Sequence, residues 1–313
     1  MTGPAVVFAG VAHSHPFADA ANLRDRGARI AGVWDADDGQ RRDGFSARFA
    51  AEPHATLEGL LDTGPDLVIA TPRTPRAPAV VAACAAAGVP VFVNKTIAAT
   101  EEALASLDAA AAAGARFGTS SVLRFAPAVA AFAALLDGSR VRAVDVTAQH
   151  DIAGFLTPER AWQDDPASGG GTLLSIGVHA VDLVDAVLPL DRGRAVLEGA
   201  IVVDARGSAG AVPTRSEAVA VVRADTAEGI PLTLTISGVP GPDRYALRVV
   251  TDGGLLELAL GDGDDLGYAG LADALLATTR GASLPAPWRR SAAGYRLLLD
   301  AAVTIRTRRE VAA

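Results

Sequence analysis

The sequence is poor in several features, and each shortage excludes a class of protein. It contains one cysteine, Cys84, so no disulfide can form within the chain. The alanines around Cys84 predict a small thiol buried on a helix, and no second residue supports a redox role. The longest apolar run, Ala79 to Val93, is broken by Gly88 and Pro90. Because a membrane helix needs about 20 apolar residues, no membrane-spanning helix is expected.

Positive charge is also scarce. The formal net charge is −8, from 28 basic and 36 acidic residues. A nucleic-acid-binding protein needs clustered cations, and the pair Arg308-Arg309 is too small a cluster, so we expect no nucleic-acid partner. No basic segment precedes the apolar residues 5–12, so they predict a strand rather than a secretion signal, and we expect a cytoplasmic protein.

Lysine is nearly absent. Lys95 is the only lysine, and the rest of the 28 basic residues are arginine. A desolvated lysine can lose its proton near neutral pH, whereas an arginine cannot. Survival by chance is the alternative. However, Lys95 follows a predicted strand, and open α/β sheets bind ligands at the carboxyl ends of their strands. We therefore favour a function for Lys95.

The 313 residues, 50% of them hydrophobic, are enough for two domains. In the first third, short β-rich runs alternate with helical stretches, which predicts a doubly wound parallel sheet of the Rossmann type. After about Thr119, longer strands and loops rich in Gly, Pro and Asp predict an α+β domain with a largely antiparallel open sheet. We place the domains at 1–119 and 120–313, and the last helix, about 292–306, is free to pack on either domain.

The predicted elements follow from apolar runs and their punctuation by Gly and Pro. In the first domain they are strands at 6–9, 29–34, 67–70 and 90–93 and helices at 16–26 and 77–87. In the second domain they are strands at 144–150, 232–236 and 255–260 and a helix at 173–187.

A nucleotide site is predicted where the first strand meets the first helix. Residues Gly10-Val11-Ala12-His13-Ser14-His15 occupy the place of a G-x-G-x-x-G motif, of which only the first glycine is retained. Asp35, which ends the second strand, can accept a hydrogen bond from a ribose 2′-hydroxyl. Asp37 and Asp38 add negative charge that would repel a 2′-phosphate. If a dinucleotide binds, NAD is therefore expected rather than NADP.

The two histidines of this segment leave three interpretations open. They can be helix-start residues whose ring nitrogens bond to water. They can also be ligands of a metal ion, or hydrogen-bond donors to a pyrophosphate. The two residues are His13 and His15. An imidazole can donate to a phosphate oxygen at a helix N-terminus, which already favours anions. A metal site needs further ligands that the local sequence does not offer, so no metal is expected.

A second candidate site lies on the predicted helix of the second domain. Ser175 and His179 are four residues apart on one face of this helix, and Asp182 follows His179 by three residues. A histidine there can act as a general base or acid, and a core or surface histidine with a satisfied ring is the alternative. The glycines at 169–171 favour function, because they let the backbone pass close to a ligand.

Together these segments resemble the glucose-fructose oxidoreductase/inositol dehydrogenase (Gfo/Idh/MocA) family over nearly the whole chain. The resemblance is carried by Thr71-Pro72, Asn94-Lys95-Thr96, Arg124-Phe125-Ala126-Pro127, Trp162 to Pro166 and Gly169 to Asp182. It implies an N-terminal Rossmann domain and a C-terminal α/β domain whose open sheet commonly makes the oligomer interface. It also implies NAD(P)-dependent oxidation or reduction of a hydroxyl or ketone on sugars, inositols and related compounds.

The motifs and the resemblance assign roles to individual residues. His179 would be the general base or acid, Lys95 would hold and polarise the reacting oxygen, and Ser175 would stand in the place of an aspartate. The expected partners are NAD, a small sugar-like substrate and further copies of the chain, in a homodimer or homotetramer formed through the C-terminal sheet. Cofactor contacts are expected from Gly10, Ala12, His13, His15, Asp35, Thr71, Pro72, Asn94 and Lys95, and substrate contacts from Arg124, Trp162 and His179.

His150 keeps two interpretations. It lies on a predicted strand in phase with Val144, Val146 and Ala148, so a buried or interface position and a substrate contact are both open.

The chain departs from the family pattern at several of these positions. Asn94 replaces a glutamate, Thr96 a proline and Ser175 an aspartate, and a serine carries no negative charge to assist a protonated His179. The alternatives to an oxidoreductase are therefore a non-catalytic or regulatory protein with this fold, or a lyase or glycosidase that uses bound NAD transiently. The other departures are Arg76 for a frequent histidine and Ala12 and His15 for glycines.

Overall fold

The structure is a computed structural model that describes residues 3–190, 196–204, 208–209 and 212–312. It divides into two compact units, each described by itself below. Unit 1 comprises the chain up to Ala98 together with Glu102–Phe125 and Gly267–Trp288. Unit 2 comprises Ala99–Glu101, Ala126–Leu266 and the chain from Arg289 onward.

Unit 1 is built on a sheet of six parallel strands, and this confirms the predicted Rossmann-type sheet. The strands are β1 Ala5–Ala9, β2 Arg29–Trp34, β3 Glu52–Pro53, β4 Leu67–Ala70, β5 Val91–Asn94 and β6 Phe117–Ser120. Their order is β3-β2-β1-β4-β5-β6, so the direction of winding reverses between β1 and β4. The side chains of β4 and β5 are all buried, as expected for a parallel sheet covered on both faces. The carboxyl ends at the reversal form the edge where such sheets bind ligands.

The helices of unit 1 cover this sheet. They are α1 His15–Asp25, α2 Gly39–Phe49, α3 Leu57–Leu61, α4 Ala77–Ala86, α5 Glu101–Ala112 and α8 Tyr268–Thr279, with short 3-10 helices at 74–76 and 122–125. α1 ends as predicted, since Gly27 after it has a φ of 89°, which is the left-handed conformation of a glycine that terminates a helix.

The two units do not follow the predicted division at 119/120. Residues 120–125 and 267–288 pack with unit 1, not with the second domain. The physical reason includes the buried Trp288, whose ring stacks on Phe117 with centroids 5.7 Å apart. Its indole N–H also donates to the carboxylate of Asp108 at 2.9 Å. The chain thus returns to unit 1 after most of unit 2 has been completed.

Unit 2 is built on a six-stranded sheet in the order β14-β13-β7-β12-β11-β8, and the predicted largely antiparallel sheet is confirmed. Its strands are β7 Val141–Gln149, β8 Val196–Asp204, β11 Val219–Asp225, β12 Pro231–Ser237, β13 Arg244–Thr251 and β14 Gly254–Gly261. Neighbouring strands are antiparallel except β7 and β12, which pair in parallel. A separate two-stranded ribbon is formed by β9 Ser208–Ala209 and β10 Val212–Pro213.

One face of the unit 2 sheet is packed against helices. α7 Gly171–Val187 makes most of these contacts, and the other helices of unit 2 are α6 Pro127–Leu135 and α9 Trp288–Ala312, with 3-10 helices at 152–156 and 161–163. α7 is buried on all sides from Gly171 to Asp185. From Arg289 onward the last helix belongs to unit 2, where Arg290 Nε donates to Asp185 at 2.6 Å. No helix in the described part of the chain is long and apolar enough to cross a membrane.

Candidate functional site

The loop between β1 and α1 lies against the ends of β2 and β4. Gly10 has a φ of 93°, and a Cβ at this position would meet the Cα of Pro72 at 2.5 Å, so only glycine fits. The Ala12 amide donates to the carbonyl of Thr71 at 2.9 Å. The structure therefore brings four of the predicted cofactor residues together, namely Gly10, Ala12, Thr71 and Pro72.

Asp35 is buried at the end of β2 and is held by backbone amides. Its Oδ2 accepts from the Val11 amide at 2.6 Å, and its Oδ1 accepts from the amides of Asp37 and Asp38 at 2.8 and 2.9 Å. The carboxylate therefore ties the β1–α1 loop to β2, a structural role that the sequence did not indicate. Because a carboxylate oxygen can accept two hydrogen bonds, Oδ2 has capacity for a further donor such as a ribose hydroxyl.

The negative charge expected beside Asp35 needs correction. Asp37 forms an ion pair with Arg76, whose Nε lies 3.0 and 2.9 Å from its two carboxylate oxygens. The carboxylate of Asp38 caps α2 by accepting from the Arg41 amide at 2.8 Å. Both carboxylates thus have partners inside the chain, and Arg76 brings a positive charge to the same edge. The preference for NAD therefore depends on Asp35 more than on its acidic neighbours.

His13 connects the β1–α1 loop with the end of β5. Its Nδ1 accepts from the His15 amide at 3.3 Å, and its Nε2 lies 3.2 Å from the carbonyl oxygen of Lys95. Because Nδ1 accepts, we assign the ring proton to Nε2, which donates to that carbonyl. This favours the interpretation of His13 as a satisfied helix-start residue, with protein atoms in the place of water. In the described ranges, no group of three or more His, Cys, Asp or Glu side chains could hold a metal ion.

β5 ends in a buried polar cluster that the sequence analysis missed in part. Nδ2 of Asn94 donates to Thr71 Oγ1 at 2.9 Å and to Asp19 Oδ2 at 2.8 Å. Burial raises the pKa of Asp19 to about 7 from its ordinary value of 3.8, and the hydrogen bond from Asn94 opposes this shift. Asp19 could have been found from its position on α1, because it is in phase with the buried Pro16 and Leu23. Asn94 itself points into this cluster.

Lys95 follows Asn94 and is partly exposed. The peptide bond between Lys95 and Thr96 is cis. Lys95 is thereby placed after β5 at the carboxyl edge of the unit 1 sheet, as predicted, with the β1–α1 loop on one side of its backbone.

The glycines before α7 approach other parts of unit 2. A Cβ on Gly169 would lie 2.3 Å from the Cα of Gln163, and one on Gly171 would lie 2.3 Å from the Cβ of Ser216. Ser216 Oγ also accepts from the Thr172 amide at 3.3 Å and so caps the start of α7. The expectation that these glycines admit a ligand is therefore corrected, because the close contacts are made by neighbouring loops of the protein.

Ser175 and His179 are both buried in α7. The hydroxyl of Ser175 donates to the carbonyl of Gly169 at 3.3 Å, so its single proton is used at the start of the helix and not on His179. The ring of His179 packs against that of Tyr245, with centroids 5.0 Å apart. The catalytic roles of Ser175 and His179 stay predictions.

A polar chain continues from Tyr245 to the end of β7. Tyr245 Oη donates to Asp243 Oδ2 at 3.4 Å, and Asp243 Oδ1 lies 2.8 Å from His150 Nδ1. The side chain of His150 is 38% exposed, so the buried position left open by the sequence is wrong. The sequence analysis missed Asp243 and Tyr245, because only the pairing of β7 with β13 brings them close to His150.

The other predicted substrate residues lie in 3-10 helices. Arg124 is in the segment 122–125 of unit 1, and Trp162 is in the segment 161–163 of unit 2. Beside Trp162, Gln163 accepts a hydrogen bond from Arg160 Nε at 2.7 Å. Substrate contact by Arg124 and Trp162 stays a prediction.

Comparison with known proteins gives matches among solved structures only. No model of a protein family matches the chain, and no curated protein sequence matches it. GenD2 from gentamicin A biosynthesis, in complex with NAD, matches with a TM-score of 0.83 and 19% identity over 98% of this chain and 95% of GenD2. WlbA from Chromobacterium violaceum, in complex with NADH and UDP-GlcNAcA, matches with a TM-score of 0.82 and 17% identity, covering 98% of this chain and 95% of WlbA.

A third similar structure is a putative myo-inositol dehydrogenase from Sinorhizobium meliloti 1021. It matches with a TM-score of 0.75 and 18% identity, covering 97% of this chain and 98% of that protein. These matches extend over both units and confirm, at the level of the fold, the resemblance inferred from the motifs. The chain has the two-part fold of these three proteins.

Proposed function

We propose that the protein is an NAD-dependent oxidoreductase of the Gfo/Idh/MocA type that acts on a hydroxyl or ketone of a sugar, inositol or sugar-like molecule. The observation that carries the proposal is the edge of the unit 1 sheet, where the Gly10 loop, Asp35 and Lys95 follow β1, β2 and β5. The fold shared with GenD2 bound to NAD, and with WlbA bound to NADH and UDP-GlcNAcA, supports it.

The residues at this edge fit a dinucleotide. Asp35 has capacity on Oδ2 for a ribose hydroxyl, and Ser14 at the start of α1 makes no side-chain capping bond that would compete with an anion for the helix terminus. When bound, the nicotinamide accepts or supplies the hydride. NADP is the weaker expectation, because a 2′-phosphate would meet the Asp35 carboxylate.

The chain's own residues would hold the substrate and move the proton. Lys95 would hold and polarise the reacting oxygen and assist the transfer of its proton. His179 would take the hydroxyl proton on a ring nitrogen in oxidation and return it in reduction. Ser175 would support the start of α7 through Gly169, and Arg124 and Trp162 would contact the substrate.

The test is titration of the purified protein with NAD and NADP, followed by a screen of sugars, inositols and nucleotide sugars at the NADH absorbance band. Turnover should fall about 100-fold or more in Lys95→Arg, because arginine keeps the charge but cannot share the proton, while NAD affinity is retained. Arg29→Lys, at an exposed position at the start of β2, is the matched control and should keep full activity. Absence of binding to either cofactor would sink the proposal.

A non-catalytic or regulatory protein is the second candidate. The observation that favours it is the hydroxyl of Ser175, which is bonded to Gly169 rather than directed at His179. NAD binding without turnover for any substrate, unchanged by Lys95→Arg, would select this candidate. Product formation without net accumulation of NADH would select a lyase or glycosidase that uses NAD transiently.

We also propose that the protein forms a homodimer or homotetramer through the open face of the unit 2 sheet. On this face Arg248 pairs with Glu257 at 2.7 Å, and the neighbouring cross-strand pair is Val250 and Leu255. Leu255 is 54% exposed. Sedimentation should show a dimer or tetramer, and Leu255→Arg should shift it toward monomer, whereas Leu135→Arg, at an exposed leucine of α6, should not. A cytoplasmic location, where NAD is available, completes the proposal, and cell fractionation tests it.

A further inference from the structure

Asp19, Asn94 and Thr71 form a closed polar cluster beneath the end of β5. All three are nearly inaccessible to solvent, with Asp19 only 2% exposed. Asn94 Nδ2 bridges Thr71 Oγ1 and Asp19 Oδ2. Among the described residues, no cation forms an ion pair with Asp19. A fully buried carboxylate without a counter-ion is strongly disfavoured, so this geometry requires another source of stabilisation.

Two oxygens of the cluster are left over. Asp19 Oδ1 and Asn94 Oδ1 are both buried and without a hydrogen-bond partner. Two orphaned acceptors are costly, because each loses its hydration without a replacement. A proton on the Asp19 carboxyl removes the buried charge and converts one acceptor into a donor. The neutral acid is thus the form that this cluster accommodates.

The backbone around Lys95 is fixed on one side by this cluster and on the other by the loop before α1. Asn94, the preceding residue, is fixed by Asp19 from α1, and the Lys95 carbonyl is fixed by His13 from the loop before α1. Thr71 extends the connection, because its carbonyl accepts from the Ala12 amide in the same loop. A change of charge on Asp19 should therefore change the backbone position of Lys95 and of the proposed cofactor loop.

We propose that Asp19 is a protonated positioning residue for Lys95, and that its ionisation draws Asn94 Nδ2 closer and shifts the lysine with it. The Asn-Lys-Thr segment carries an amide where the family motif carries a glutamate, and here the carboxyl group is supplied by α1. For the role of Lys95 in catalysis, the inference rests on the proposed function. For the coupling between Asp19 and Lys95, it rests on the contacts alone.

Other groups near α1 must be separated from Asp19 in any pH experiment. The charged or titratable side chains on the elements around it include His13, His15, Arg41, Lys95, Tyr268 and Asp273. Arg41 donates to the Val11 carbonyl, and Asp273 pairs with Arg26 at 2.7 Å near the far end of α1. The His15 ring lies against the rings of His13 and Tyr268, so the two histidines are the groups whose titration could be mistaken for that of Asp19.

The single lysine makes a direct test possible. Protein labelled with ¹³Cε-lysine gives one lysine NMR signal, that of Lys95, which can be followed from pH 5.5 to pH 9 without any ligand. Wild type should show an inflection near pH 7, and the isosteric Asp19→Asn variant should lack it. His15→Gln and Asp25→Asn, an exposed carboxylate on the same helix, are the controls and should retain it. Persistence of the inflection in Asp19→Asn would assign it to a histidine and overturn the proposal.

A second measurement separates this inference from the proposed function. The dissociation constant for NAD should weaken in wild type by up to about tenfold per pH unit above pH 7, and should stay flat in Asp19→Asn. If wild type binds no NAD, the proposed function fails, while the lysine signal still decides the coupling. If NAD binds with the same pH dependence in both proteins, Asp19 does not position Lys95 for the cofactor site. Thermal unfolding of each variant verifies that it is folded.

Discussion

Replacing Asp19 by asparagine should remove a pH-dependent penalty on folding. Burial raises the pKa of Asp19 from 3.8 to about 7 in the folded protein, so the folded state holds this proton more tightly than the unfolded chain does. Stability from this group is therefore fully present below pH 3.8 and is lost as the pH rises toward 7. In the Asp19→Asn variant this side chain is neutral at every pH, and its amide can still pair with that of Asn94.

The size of the effect follows from the difference in pKa. About three pKa units, at about 1.4 kcal/mol each, give a total penalty of about 4 kcal/mol. Part of this is already lost at pH 5, so the free energy of unfolding of wild type should fall by about 3 kcal/mol more than that of Asp19→Asn between pH 5 and pH 8.

Urea denaturation at pH 5, 6.5 and 8, followed by tryptophan fluorescence, measures this difference. Trp34 and Trp288 lie in the same unit as Asp19 and report its unfolding. Asp25→Asn removes a carboxylate from the exposed side of the same helix, keeps Asp19, and should reproduce the wild-type pH dependence. Parallel curves for wild type and Asp19→Asn would refute the reasoning, because they would mean that Asp19 keeps the same proton affinity on unfolding.

Substitutions at three further positions probe the local geometry, each by denaturant titration. Gly10→Ala should cost several kcal/mol more than Gly27→Ala, because both have positive φ but only at Gly10 would a Cβ collide with backbone, at 2.5 Å; equal losses would contradict the collision. Ser216→Ala should cost about 1–3 kcal/mol, since it leaves the buried Asp164 carboxylate and the Thr172 amide of α7 without their hydroxyl partner, whereas Ser106→Ala, on an exposed helix face, should change little. Trp288→Phe should cost about 1 kcal/mol by loss of its N–H bond alone, and Trp288→Ala about 3–5 kcal/mol; a similar loss in both variants would mean that the stacked ring contributes nothing.

The sequence predicted the elements whose signal is local. The apolar runs of β4 and β5 and the glycine that ends α1 required no knowledge of the rest of the chain, and the structure places them within one or two residues of their predicted bounds. The helix α8 was not predicted. It is rich in alanine and begins after a glycine, and its position in unit 1 depends on contacts with residues far away in sequence.

The candidate site was predictable in its positions and less so in its partners. The spacing from Gly10 to Asp35 and the strand end at Lys95 predicted that these residues lie at one edge of the sheet, and the structure has them there. The sequence did not indicate that the Val11 amide donates to Asp35, or that neighbouring loops lie against Gly169 and Gly171. Each of these contacts joins segments that are distant along the chain. Sequence spacing indicates which residues meet at an edge, whereas their hydrogen bonds depend on which distant segments of the chain pack against that edge.

The departures from the family pattern in unit 1 are connected through these contacts. Arg76, in the place of a frequent histidine, pairs with Asp37, and Asn94, in the place of a glutamate, is bonded to Asp19. His15, in the place of a glycine, donates its amide to His13, which holds the Lys95 carbonyl. Arg76 and Asn94 have each gained a side-chain partner within unit 1, which the loss of a function alone does not explain. The contacts of Asn94 and of the loop that carries His15 meet at the backbone around the single lysine, which favours a rearranged site over a degraded one at this edge.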